Sequence, residues 1–143
     1  MKTVRDLLEE KGRDVWTIDP GETVREALTR MADKDVGALV VTQGQSVIGV
    51  ISERDYARKV IMKGKSSLET LVGDVMVRDP RCVAPTETIG ACMATMTEKR
   101  VRHLPVLEGA SLVGLVSIGD VVKSIISEHE SKIDELESFI YGN

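Results

Sequence analysis

Between Thr23 and Met31, apolar residues fall at Val24, Ala27, Leu28 and Met31. This i, i+3, i+4, i+7 spacing lines one face of an α-helix. Upstream, Asp19-Pro20-Gly21 is a turn signal that closes a short extended segment, Trp16-Thr17-Ile18. Thr23 stands at the N-cap position, and Glu26 three residues on has the spacing of a capping box. Two β-rich runs follow, Ala38–Thr42 and Val47–Ile51, around Gln43-Gly44-Gln45-Ser46 as a hairpin turn. Their near-continuous apolar character predicts strands covered on both faces. A helix from about Glu53 to Met62 completes the order strand, helix, strand, strand, helix.

The whole pattern then recurs. Pro20-Gly21-Glu22-Thr23-Val24 returns as Pro85-Thr86-Glu87-Thr88-Ile89, and Gly49–Asp55 returns as Gly114–Asp120. Both lie sixty-five residues on, as Pro20 to Pro85 and Gly49 to Gly114. Such self-similarity marks a repeated supersecondary unit. The helical stripe returns as Ile89, Cys92, Met93 and Met96, with Ala91 in place of the capping glutamate. The strands return as Leu104–Leu107 and Leu112–Val116 around Glu108-Gly109-Ala110-Ser111, and a closing helix runs from about Gly119 onward. Pro105 lacks a ladder donor and is expected at an edge or a bulge. Each copy has too few residues to bury its own sheet, so the two are expected to pack sheet to sheet about a pseudo-twofold axis. The expected fold is therefore α+β, an α/β sandwich of two β-α-β-β-α repeats. Its boundaries are a helical segment at 1–14, repeat 1 at 15–65, repeat 2 at 66–126 and a helical tail at 127–143.

Composition narrows the function. The chain has 143 residues, 42% hydrophobic and 3% aromatic, so Val, Ile, Leu, Ala and Met must build the core. A formal net charge of −4 argues against sequence-independent nucleic-acid binding, and no apolar run approaches a membrane span. The basic stretch Arg54, Arg58, Lys59, Lys63, Lys65 reads as a solvated helix face. Cys82, on an apparent strand, and Cys92, on an apolar helix face, read as small buried hydrophobes in a reducing compartment. With no secretory signal, the expected location is cytoplasmic. There is no P-loop, nucleophile elbow or metal-ligand cluster, so no catalysis, no metal and no required cofactor is expected.

The doubled Gly-x-x-Ser-x-x-Asp (Gly49/Ser52/Asp55 and Gly114/Ser117/Asp120), with Val101-Arg102-His103-Leu104-Pro105-Val106, resembles the tandem cystathionine-β-synthase-type (CBS) domain pair, or Bateman module. The resemblance runs from about Val15 to Ile126 and is that of stand-alone small CBS-pair proteins. It implies adenosine-containing ligands (AMP, ADP, ATP, S-adenosylmethionine or NAD(H)) in two clefts between the repeats. Asp55 and Asp120 would accept from ribose hydroxyls, and Ser52 and Ser117 would lie near phosphate. Each cleft would be shared between copies. One would comprise Leu115, Ser117, Asp120, Arg102 and His103 with Val36 and Gly37. The other would comprise Val50, Ser52, Arg54 and Asp55 with Val101 and Arg102. Where one copy has Arg102-His103 the other has Gly37-Ala38, and where one has Glu53-Arg54 the other has Ile118-Gly119, so the clefts are expected to be non-equivalent.

At the ends, Thr3–Glu10 reads as a short helix with Val4, Leu7 and Leu8 on one strip. Ile125, Ile126, His129, Ile133, Leu136 and Ile140 lie near one face of the C-terminal helix. An apolar strip of that length predicts a partner, and the family resemblance implies a homodimer. His129 beside two glutamates reads as exposed helix surface. The expected function is an adenine-nucleotide-binding regulatory module that signals to a partner protein; the alternative is a dimeric interaction scaffold with empty clefts.

Overall fold

In the computed structural model residues 1–141 are described; residues 142 and 143 of the expected tail lie outside them. The elements run α1 (Val4–Lys11), β1 (Thr17–Ile18), α2 (Val24–Lys34), β2 (Ala38–Gln43), β3 (Ser46–Ser52), α3 (Glu53–Asp55), a π-helical segment (Tyr56–Ile61), α4 (Val72–Val75), β4 (Val77–Arg78), α5 (Ile89–Lys99), β5 (His103–Glu108), β6 (Ser111–Ser117) and α6 (Ile118–Tyr141). The repeated helices α2 and α5 begin alike. The Thr23 hydroxyl accepts the Glu26 N–H at 3.2 Å, and the Thr88 hydroxyl accepts the Ala91 N–H at 3.1 Å. The reciprocal half of the capping box expected at Thr23 is absent. The Glu26 carboxylate turns instead to Arg30, 3.1 Å away and one turn on.

Repeat 1 supplies β1, β2 and β3 of a four-stranded sheet in the order β1-β2-β3-β4, whose last strand comes from the start of repeat 2. The rest of repeat 2 forms a two-stranded sheet, β5-β6. Both hairpins close through two-residue loops, between Gln43 and Ser46 and between Glu108 and Ser111. Gly44 and Gly109 take φ 62° there, the first central position of a type II′ turn. The missing first strand of repeat 2 has a local cause. In repeat 1 the Val40 N–H donates to the Trp16 carbonyl at 3.0 Å, holding β1 against β2. The counterpart of Val40 is Pro105, which has no N–H to give the carbonyl of Arg81, the counterpart of Trp16. Only the Val83–Val106 bridge remains. Cys82 accordingly lies on no strand; it is half-buried rather than buried, whereas Cys92 is fully enclosed.

Each repeat closes its core with a helix that precedes the other repeat in sequence. Val4, Leu7 and Leu8 of α1 pack with Val83, Ile89, Cys92, Met96, Leu104, Val106, Val116 and Val121 of repeat 2. Val72, Val75 and Met76, around α4, pack with Ile18, Val24, Met31, Leu39 and Ile51 of repeat 1. The docking is the same in both places. Thr3 bridges Thr88 as Leu71 bridges Thr23, and the N–H of Val4 and of Val72 donates to the carbonyl of Glu87 and of Glu22. The incoming side chain then meets a glycine. A Cβ on Gly114 would lie 2.7 Å from Leu8, and one on Gly49 would lie 2.5 Å from Met76. The glycine that recurs in both copies of the motif is thus a close-approach site. On the other sheet face Ala38, Val40, Val50 and Pro105 are buried between the repeats.

The closing helices differ from each other. The one expected over Glu53–Met62 is α-helical for three residues and then widens to a π-helix, with the Met62 N–H on the Ala57 carbonyl. Its counterpart α6 is a 24-residue α-helix whose Val121 and Ile125 join the core of repeat 2. Beyond Ser127, Ile133, Leu136, Phe139 and Ile140 are exposed, so this part of the strip does not fold back on its own module.

Leu8, 1% exposed, is a core residue of repeat 2 although it precedes repeat 1. Leu8→Ala is therefore expected to destabilise the protein by about 2–5 kcal/mol in urea unfolding. Leu68→Ala, on a side chain 62% exposed, should cost less than about 0.5 kcal/mol. A small effect at both positions would mean that α1 is a detachable appendage.

Candidate functional site

The Ser-x-x-Asp signature is a reciprocal helix cap. Ser52 N–H donates to Asp55 Oδ2 at 2.9 Å, and the Asp55 N–H returns to Ser52 Oγ at 3.3 Å. Ser117 and Asp120 repeat this at 2.9 and 3.1 Å. The serines therefore spend hydrogen-bonding capacity on the cap, and the Ser52 hydroxyl lies 3.1 Å from Asp55 Oδ2. Locked at two points, each carboxylate is held at the edge of a cavity between the repeats.

The cavity at Asp55 measures about 450 Å³. Val50, Ser52, Arg54, Asp55, Val101 and Arg102, the six residues expected there, all line it. So do Arg58, Lys59, Arg81 and Arg100, giving six cations against one carboxylate. Four of the five cations of the basic stretch are exposed as expected, and Arg54, Arg58 and the half-buried Lys59 also line this cavity, with Lys63 and Lys65 beyond it. Lys59 Nζ lies 3.3 Å from Asp55 Oδ1 and donates to the Val75 carbonyl at 2.9 Å. Desolvation, then repulsion from Arg102 and Arg58, pushes the Arg54 guanidinium below its ordinary range.

The cavity at Asp120 measures about 270 Å³ and has the opposite character. Leu115, Ser117, Asp120, His103, Val36 and Gly37 line it as expected, but Arg102 does not; that side chain lines the Asp55 cavity alone. Lys11, Asp14, Val15, Trp16, Asp35 and Ala38 complete the wall, one lysine against three carboxylates. Lys11 Nζ reaches in from α1 to Asp120 Oδ2 at 2.6 Å and to the Leu115 carbonyl at 2.9 Å. It takes the part that Lys59 plays for Asp55. The counterpart of Lys59 is Ser124, whose buried hydroxyl has no hydrogen-bond partner among the described residues. Burial alone would raise the Asp120 carboxyl, but the Lys11 and Ser117 hydrogen bonds outweigh it and hold the group below its ordinary value.

His103 and Gly37 line both cavities. Burial pushes the His103 imidazole below its ordinary range, with Asp55 and Asp120 pulling it up and Lys11 and Arg102 pushing it down. Desolvation raises the Cys82 thiol, and desolvation and then Glu87 raise Cys92 to about 11, so neither has thiolate character. No group of His, Cys, Asp or Glu that could hold a metal is found among the described residues, and His129 is exposed. The cavity residues missing from the sequence reading had a signal: Arg81 and Arg100 are the sixty-five-residue counterparts of Trp16 and Asp35. Arg58 and Lys59 follow Arg54 and Asp55 by one helical turn.

The sequence profile of the CBS domain matches this chain twice, over residues 4–61 and 72–127. The chain is 38% identical over 151 residues to the mitochondrial CBS domain-containing protein CBSX3 of Arabidopsis thaliana, covering 98% of this chain and 72% of that protein. A second protein of that plant, CBSCBSPB2, is 32% identical over 135 residues, and the chain spans 25% of its length. Among solved structures, one from Burkholderia ambifaria MC40-6, of a protein with CBS domains assigned to signal transduction, is 45% identical. Its TM-score is 0.83, over 88% of this chain and 95% of that one. The CBS-domain containing protein ATU1752 of Agrobacterium tumefaciens is 39% identical with a TM-score of 0.80, over 86% of this chain and 98% of that one.

Because the folded-state value of Asp120 is depressed, the stability it contributes is present above the ordinary carboxylate range and lost as pH falls through the lowered value. Lys11→Met should therefore cost about 1 kcal/mol at neutral pH, and the difference from the unaltered protein should shrink as pH falls through that lowered value. A difference that persists in acid, measured by urea unfolding at both pH values, would assign the loss to packing and not to the ion pair.

Proposed function

The chain belongs to the CBS-domain family as a tandem pair, and from that premise we propose that it is a non-catalytic sensor of adenine nucleotides. AMP, ADP, ATP or an NAD(H)-type ligand occupies the two non-equivalent clefts between the repeats, and the occupied state is read by a partner protein or through a homodimer. One observation carries this reading: the same Ser–Asp cap aims a carboxylate into each of two inter-repeat cavities. A carboxylate fixed in that way accepts ribose hydroxyls through charge-assisted hydrogen bonds, about 1.5–3 kcal/mol each. Arg54 and Arg102 take the phosphates in the Asp55 cleft, and Trp16, with Lys34 Nζ 4.4 Å from its ring centroid, supplies aromatic wall to the Asp120 cleft. Signalling needs a ligand that favours one arrangement of the repeats over another. The family relative assigned to signal transduction supports that role, and two unpaired cysteines fit a reducing compartment such as the cytoplasm.

A second reading, the dimeric scaffold with empty clefts, is favoured by the Lys11–Asp120 pair, which engages one ribose acceptor internally. The two separate in a thermal-shift series with AMP, ADP, ATP, NAD, NADH and S-adenosylmethionine. A bound ligand at a hundred times its dissociation constant should add about 2.7 kcal/mol of stability. Asp55→Ala and Asp120→Ala should each weaken binding at their own cleft at least about tenfold with the fold retained, Trp16 fluorescence reporting the Asp120 side. Flat melting curves across the series favour the scaffold, and product formation with any ligand makes the protein an enzyme.

For the dimer, the exposed apolar ridge of α6 is the contact, since Ile133 and Leu136 are more than half exposed in the single chain. Replacing both by glutamate should shift sedimentation from a two-chain to a one-chain species while the melting of the repeats is retained. An unchanged sedimentation coefficient would place the contact elsewhere.

A further inference from the structure

We propose that the Asp55 cleft selects a nucleotide carrying at least three phosphates, and that Arg58 from repeat 1 with Arg81 and Arg100 from repeat 2 clamp its polyphosphate chain across the repeat interface. The inference rests on the nucleotide reading above and names the ligand class of that site.

Among the described residues, Arg54, Arg58, Arg81, Arg100 and Arg102 enter no ion pair, although all five line one cavity of about 450 Å³. Lys59 alone of its cations is paired, to Asp55. The five guanidiniums are exposed at the cavity wall, so water and salt screen their mutual repulsion in part, and an anion of matching charge bound among them relieves the rest. A monophosphate brings about two negative charges, and each added phosphate contributes about one more. AMP therefore leaves most of the set unneutralised, while a triphosphate answers nearly all of it. Guanidinium is also the side chain that meets phosphate oxygens two at a time.

Arg100 adds a second, independent observation. It ends α5 at φ 55°, the left-handed region that a long side chain seldom occupies. The matching residue Asp35 belongs to a type that tolerates this conformation. A cation at a helix C-terminus also answers the macrodipole, and this one lines the cavity wall beside Val101 and Arg102 as well. The comparison across the repeat points the same way. Where the Asp55 cleft has Arg81, Arg100, Arg102, Arg54 and Lys59, the Asp120 cleft or its surround has Trp16, Asp35, Gly37, Gly119 and Ser124. None of Arg58, Arg81 and Arg100 belongs to the doubled Ser–Asp motif, so the phosphate-length preference is a property of this wall. Because the arginines come from both repeats, a chain long enough to touch them all favours the arrangement in which the repeats stand closest.

Isothermal titration at physiological ionic strength tests this with ATP, ADP, AMP, adenosine and inorganic tripolyphosphate. The probes are applied to the unaltered protein and to the double variant Arg81→Ser, Arg100→Asn, whose asparagine keeps the left-handed backbone and whose fold is checked by its melting curve. The expected result is affinity rising with each phosphate, ATP at least about tenfold tighter than AMP, and tripolyphosphate competing with ATP. In the variant the ATP-to-AMP ratio should collapse towards one, and the loss of ATP affinity with rising salt should become shallower than in the unaltered protein. AMP binding as tightly as ATP, or a variant with an unchanged ratio, overturns the clamp and leaves the nucleotide site standing. Tripolyphosphate binding without any nucleotide binding keeps the polyphosphate clamp and removes the adenine reading. No binding by any probe removes both.

Discussion

Neither sheet of this protein can bury its helix-facing side with residues of its own repeat, and the chain resolves this by exchanging helices. Leu8 enters repeat 2 over Gly114, and Met76 enters repeat 1 over Gly49, each so close that a Cβ on the glycine would collide with it. The exchange means that α1 is as much a part of repeat 2 as Leu104 or Val116 is. It also crosses the linker and the N-terminus over the module, so the repeats cannot separate without opening both cores. Burying Val4, Leu7 and Leu8 contributes about 1.5–3 kcal/mol per side chain by transfer alone. The two clefts exist because this closure holds the repeats face to face.

The same glycine-bearing strand then runs directly into the Ser–Asp cap. Strand, close-packed glycine, cap and carboxylate follow within seven residues, Gly49 to Asp55 and Gly114 to Asp120. A single short segment thereby couples the core to the site. Each carboxylate also has a lysine that ties it to the exchanged helices. Lys59 links Asp55 to the end of α4 through the Val75 carbonyl, and Lys11 brings the end of α1 to Asp120. A ligand that competes for either carboxylate therefore acts on the contacts between closing and exchanged helices.

The repeat, the hairpins, the helix stripes and the paired Ser–Asp motif were legible because each is a local pattern with a fixed spacing. Six residues expected around Asp55 meet at one cavity, and six of seven expected around Asp120 meet at the other. Arg102 is the exception, since it points to the Asp55 side alone. What stayed hidden depends on distant pairing. Lys11 lies more than a hundred residues from Asp120, and no periodicity links them. Arg81 sits where a strand was expected, and only the missing N–H of Pro105 explains why that strand shrinks to one bridge. The basic stretch looked like solvated surface because three of its five cations reach a cavity whose other wall is supplied by repeat 2. The π-helical segment carries no sequence mark that distinguishes it from the α-helix expected there.

Mismatch within the repeat is what gives the clefts opposite charge. Six cations face one carboxylate at Asp55, and three carboxylates face one lysine at Asp120, yet the wall between them is common. His103 and Gly37 belong to both cavities, and the imidazole is held below its ordinary range by burial against the pull of two aspartates that favour its charge. Negative charge brought into the basic cleft adds to the pull of the aspartates, and so shifts the same imidazole that the acidic cleft sees. The two cavities thus share one titratable wall between opposite fields. In a doubled fold, identity between the copies builds the module, and the differences between them give each cleft its own charge.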